Sequence, residues 1–140
     1  MANDFPQVRF VFQQFPLPAS VHPWAQKGAQ YADCVGRLNP ASFWKYIDAV
    51  IESQDSIVAS SADDKLKEVA TSVGLDAQKL SACAGLPETE AIVKKSVELG
   101  QSLGVSRTPT LFVNGRRVVG EIPYDQLKKL IQFEIDHAGR

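Results

Sequence analysis

Two cysteines, a Thr-Pro-Thr loop and two isolated histidines are the residues of this 140-residue chain whose chemistry could set its function. Cys34 and Cys83 stand 49 residues apart. A dithiol built for exchange holds its two thiols within one helical turn, and a zinc site clusters its ligands, so this spacing fits neither. Composition leaves two readings open: free thiols in a reducing compartment, or one structural disulfide. His22 precedes Pro23 at a helix start and reads as a cap or packing residue. His137 falls in the last turn of a helix, where it complements the helix dipole. With no clustered carboxylate beside them, the histidines make no metal site, and no cofactor is expected. Arg116 and Arg117 read as a solvated hairpin face. The sequence has no phosphate-cradling glycine loop and no serine-nucleophile elbow.

Composition narrows the class further. Hydrophobic residues make up 44% of the chain and charged residues 22%, the proportions of an ordinary globular domain. Fifteen Lys and Arg against 16 Asp and Glu leave a net charge of −1, so no basic footprint for a nucleic acid exists. No apolar run approaches the roughly 18 residues that a bilayer requires. The start, MANDFPQVRF, lacks the basic region and apolar stretch of a signal or transit peptide.

The elements that would position these residues follow from periodicity and breakers. Val8–Phe12 is a short β-branched and aromatic run between Pro6 and Pro16-Leu17-Pro18, and it predicts a buried strand. Pro23 opens a helix whose face holds Trp24, Ala25, Gly28, Ala32 and Val35, and which ends by Gly36 and Asn39-Pro40. A second helix starts at Pro40 with Phe43, Trp44, Ile47, Val50 and Ile51 on one face. Ser60-Ser61 cap a third, which Gly74 stops, and Asp76 caps a short fourth with Leu80 and Cys83 inward. Ile92, Val93, Val97 and Leu99 mark a fifth, running to about Leu103-Gly104. Thr110–Val113 and Arg116–Val119 flank Asn114-Gly115, the strongest short hairpin signal, because both turn residues tolerate positive φ. A last helix begins at Pro123, with Leu127, Leu130, Ile131 and Ile135 on one face. There is no internal repeat.

Three segments, in this order, carry a family resemblance. GVSRTPTLFVNGRRVVG resembles the cis-proline loop and closing hairpin of the DsbA-like thiol–disulfide oxidoreductases. VRFVFQQFPLP with His22-Pro23-Trp24-Ala25 is similar to the strand and loop that follow their redox helix, and Phe43-Trp44-Lys45-Tyr46 resembles the aromatic helix of their inserted helical domain. The resemblance implies an α/β, truncated thioredoxin-like fold with a helical insertion, in the order strand, five helices, β-hairpin, helix. It implies one domain over 1–140, with 7–20 and 105–140 as the thioredoxin-like part and 21–104 as the insertion. It also implies a cis peptide at Thr108-Pro109, contact of Thr108 and Pro109 with a polypeptide substrate or redox partner, and an extracytoplasmic, periplasmic or cell-surface location. Some members carry a structural disulfide where Cys34 and Cys83 stand, so the resemblance implies that pairing as well.

One departure matters as much. The family places a strand and a redox Cys-X-X-Cys before the run matching Val8–Phe12; here seven residues precede Val8 and none is cysteine. That motif is where a thiolate gains reactivity from a helix N-terminus. The chain is therefore expected to be inactive alone, as a piece of a longer oxidoreductase, or else to serve as a redox-dead peptide- or protein-binding module. A glutathione-transferase-like fold ranks lower, because its proline loop usually lacks the Thr-Pro-Thr form. In the family the strand missing here lies between the runs matching 8–12 and 110–113. Its absence predicts unpaired inner edges that either close on each other or recruit a second copy into a homodimer.

Overall fold

A computed structural model describes residues 3–139, which form two compact units that divide between Leu99 and Gly100. The first unit is helical: α1 spans Ala25–Leu38, α2 Phe43–Ser53, α3 Ala62–Ser72 and α4 Ala77–Ala84, and it contains most of α5, Pro87–Ser102. Breakers and caps set the ends. Pro40 opens a 3-10 turn, Pro40–Ser42, directly ahead of α2. Gly74, at φ +83°, turns the chain out of α3 in a conformation that costs glycine little. Asp76 accepts the backbone N–H groups of Gln78 and Lys79 at 3.1 Å each, satisfying two orphan donors at the start of α4. Ser61 stands at the N-cap of α3 without a side-chain capping bond, so the expected serine cap does not form; a 3-10 turn, Ala59–Ser61, leads into the helix instead.

One face of α1, carrying Tyr31, Ala32, Cys34 and Val35, is almost fully buried. It packs with Tyr46 of α2, Leu66, Val69 and Ala70 of α3, and Leu80 and Ala84 of α4 in a single core. Residues three and four apart on a helix share a face, which is why this spacing yields one apolar stripe on α1. Two tyrosines enter the core differently. The Tyr31 hydroxyl donates to Asp63 Oδ1 at 2.7 Å, while the buried Tyr46 hydroxyl has no partner among the described residues. Burial pushes both hydroxyls above the usual tyrosine range. The Tyr31 hydrogen bond, aided by Lys67 and Lys27, holds the Asp63 carboxyl below its usual range.

The second unit holds β1, Thr110–Val113, and β2, Arg116–Val119, followed by α6, Tyr124–Asp136. The strands pair antiparallel, with Thr110 opposite Val119 and Val113 opposite Arg116. Asn114 and Gly115 take φ of 48° and 85°, the positive values that a two-residue turn of this hand needs. Leu127 and Ile131 of α6 are buried, and α6 packs against β1.

The strand expected over Val8–Phe12 is a correction. Among the described residues the sheet has two strands, β1 and β2, and residues 8–12 join no ladder. Val11 is 61% exposed and Phe12 44%, so the run is not buried either. A strand is defined by its partner, and β propensity without one leaves an irregular segment.

Two stability outcomes follow. Leu66→Ala, at a fully buried site, lowers unfolding free energy by about 2–5 kcal/mol in urea titrations. Stability also falls at both pH extremes. Asp63, with its native pKa depressed, contributes stability present above about pH 4 and lost as pH falls through the native value. The tyrosines, with native pKa raised, contribute stability present below about pH 10 and lost as pH rises, because only the unfolded chain ionises them readily. Asp63→Asn flattens the acid limb. Tyr46→Phe flattens the alkaline limb and, by removing an unpaired hydroxyl, leaves neutral-pH stability unchanged or higher; a loss above about 1 kcal/mol contradicts this account.

Candidate functional site

The sequence singled out two sets of residues, and the structure places each in its own unit. In the helical unit Cys34 of α1 and Cys83 of α4 form a disulfide, with S–S 2.05 Å and Cα atoms 6.0 Å apart. The expected Cα range for a bridge, about 4.4–6.8 Å, is met. No free cysteine remains.

Around the bridge stands a polar cluster that sequence reasoning missed. Arg37, one turn after Cys34, places Nη2 3.7 Å from Cys34 Sγ and 3.6 Å from Cys83 Sγ. The same nitrogen donates to Thr89 Oγ1 at 2.8 Å, and Arg37 Nε donates to Asp33 Oδ2 at 2.8 Å. Thr89, fully buried in the first turn of α5, donates its own hydroxyl to the Cys83 carbonyl at 2.7 Å. Three helices meet at one sulfur pair. Arg37 could have been suspected from its i+3 spacing to Cys34, whereas nothing local ties Thr89 to either cysteine.

Asp33, Gly36 and Arg37 also line a groove of about 380 Å³, closed on other sides by Phe12, Phe43 and Lys95. Phe12, Phe43 and Trp44 pack edge-on, with centroids 5.2–5.9 Å apart. Ser96 pins the approach by donating to the Gln14 carbonyl at 2.7 Å.

In the second unit the Thr108-Pro109 peptide is cis, and both residues are exposed. The Pro109 carbonyl accepts from the Gly120 N–H at 2.8 Å, extending the hairpin ladder by one bond. Bonded pairs alternate along an antiparallel ladder, so the N–H and C=O of Thr110 and Phe112 turn away from β2. Among the described residues no further strand pairs with that edge, beside the proline. Both arginines are exposed, as expected, and each also finds a specific partner. Arg116 pairs with Glu134 of α6 at 2.9 Å, because it sits on the hairpin face that α6 covers. Arg117 Nη1 donates to the Gly104 carbonyl at 3.1 Å, filling an orphan acceptor past the end of α5.

The histidines pack or cap. His22 lies edge-on to Trp24 at 4.8 Å, and His137 Nδ1 is 2.7 Å from the Phe133 carbonyl. Among the described residues no group of three or more His, Cys, Asp or Glu could hold a metal, and no helix is long and apolar enough to cross a membrane.

Opening the bridge costs stability that rises slowly, as a logarithm, with the length of the loop it closes. Cys34→Ala with Cys83→Ala lowers unfolding free energy by up to about 4 kcal/mol in the chain-entropy account. Equal urea midpoints for the double variant and the parent would show that the helices hold without it.

A family model described as Thioredoxin matches residues 1–133. Among curated proteins the chain is 32% identical over 122 residues to the Na(+)/H(+) antiporter NhaA 3 of Salinispora tropica, and 29% identical over 131 residues to NhaA 1 of Salinispora arenicola. These matches cover 87% and 94% of the chain but 17% and 19% of the antiporters, so it spans less than a fifth of their length. Among solved structures, a thioredoxin-like oxidoreductase from Silicibacter pomeroyi superposes with a TM-score of 0.76 at 22% identity, over 98% of this chain and 74% of that one. A protein disulfide isomerase candidate from Nitrosomonas europaea does so at 0.72 and 15% identity, over 82% of this chain and 59% of that one. Identities this low speak to fold alone.

Proposed function

This chain belongs to the thioredoxin family, and from that premise we propose that it is the polypeptide-holding portion of a DsbA-like thiol–disulfide oxidoreductase acting on exported proteins. Thr108 and Pro109 contact the backbone of an extended substrate or redox partner. The outward N–H and C=O groups of Thr110 and Phe112 continue that contact by strand addition. The chain alone does not turn over disulfides. The observation that carries this is the fate of the thiols: the only two cysteines are consumed in one bridge, and no thiolate stands at a helix N-terminus to begin exchange. The thioredoxin-like part comprises 7–20 and 105–140, with 21–104 as the insertion. An extracytoplasmic location is supported by the bridge itself, since structural disulfides persist in oxidising compartments.

A second reading has its own observation. Similar sequence lies within proteins named as antiporters, which favours a redox-dead module that holds a polypeptide without electron transfer. Both readings place the ligand on the same edge, where a second copy could also add to give a symmetric dimer.

One experiment with two readouts tests the proposal. An extended disulfide-containing peptide titrated into the labelled chain shifts the amide resonances of residues 107–112, and its disulfide is not reduced or oxidised faster than by a free thiol. Shifts confined to other residues at millimolar peptide sink the binding site. Catalytic turnover sinks the inactive-alone reading. Sedimentation at the same concentrations separates dimerisation from peptide capture.

A further inference from the structure

We propose that the Cys34–Cys83 bridge is a reducible site in its own right, entered at Cys83, with Cys34 as the leaving group and Arg37 as the residue that stabilises it. The two sulfurs are unequal. Cys34 is 0% exposed at the centre of the α1 face, whereas Cys83 is only partly buried. An external thiolate therefore reaches Cys83 first. The displaced sulfur must carry negative charge, and a nearby cation lowers a thiol's pKa and speeds its departure. Arg37 supplies that cation, with Nη2 3.7 Å from Cys34 Sγ and 3.6 Å from Cys83 Sγ, so it can stabilise either sulfur and the order of attack is set by exposure. Its hydrogen bond to the buried Thr89 fixes the guanidinium there, while the Asp33 carboxylate on the Nε side opposes part of its field at the sulfurs.

The attacking thiolate of a dithiol reductant forms a new S–S bond to Cys83 Sγ as the Cys34–Cys83 bond breaks, and the bonding pair leaves on Cys34. The second thiol of the reductant, once deprotonated, attacks its own sulfur in the mixed disulfide and releases Cys83 as a thiolate. The reductant ends as a disulfide, and the chain has gained two electrons and, on protonation, two protons. The chain is here the substrate of exchange, so the step requires none of the turnover that the chain alone lacks.

The test uses the intact chain with dithiothreitol for equilibrium and glutathione for the mixed disulfide. Arg37→Met shifts the equilibrium about tenfold toward the oxidised form, close to 30 mV for a two-electron couple, and slows reduction. Arg37→Lys restores much of both. Asp33→Asn moves them the opposite way, toward easier reduction, by removing the anion that opposes the guanidinium's field. A purely structural role for the Asp33–Arg37 pair shifts both variants in one direction, and that result overturns the proposal. Peptide mapping of the glutathione adduct on the parent chain needs no variant: modification at Cys83 supports the assignment, and modification at Cys34 overturns it.

Discussion

Burial of one face of α1 is the constraint on which the helical unit depends. Tyr31, Cys34 and Val35 are each wholly removed from solvent, and each meets a different neighbour. Tyr31 reaches the Asp63 carboxylate on α3, Cys34 is bonded to α4, and Val35 fills the shared core. Four helices of 8 to 14 residues would be marginal as isolated segments, so their helicity is borrowed from this packing. The covalent tie adds to the same contact. It joins the helix that carries the buried face to the one that closes over it.

The second unit is held by a different logic. Its sheet has two strands, and a lone hairpin is marginal in water. What supports it is α6 against β1, with the Arg116–Glu134 ion pair along that same face. Glu134 is mostly shielded, so the pair is less screened than an exposed one. The opposite face keeps Phe112 and Val119 about half exposed beside the open β1 edge. Apolar side chains next to unpaired backbone groups suit a strand-shaped ligand.

Much of this was legible wherever the signal is local. Asn114-Gly115 specified its turn because only a few residues accept positive φ in succession, and Asp76 specified a helix start because its side chain satisfies N–H groups two and three residues on. Pro40 and Gly74 punctuated helices for equally local reasons. The errors and omissions are non-local. Val8–Phe12 has the composition of a strand, but whether it becomes one depends on a partner that no spacing within the run encodes. The surroundings of the bridge were hidden because Thr89 lies 55 residues from Cys34 and meets it only after three helices have packed. The arginines are surface residues as expected, but composition does not say which carbonyl or carboxylate a long side chain will find.

One small feature constrains how this fold can vary. Gly104 sits at φ +74°, and a β-carbon there would lie 2.9 Å from Arg117 Nη1. The guanidinium occupies the space that the missing side chain leaves, and it uses that space to bind the carbonyls where α5 gives way to the loop. Glycine and arginine, 13 positions apart, are thus two halves of one fastening. A larger residue at 104 would strain its own backbone and dislodge the arginine tip, while a shorter residue at 117 would leave the glycine's vacancy unused and two carbonyls without that donor. The backbone alone ties position 104 to glycine, and the flexible tip of Arg117 makes use of the space that glycine leaves.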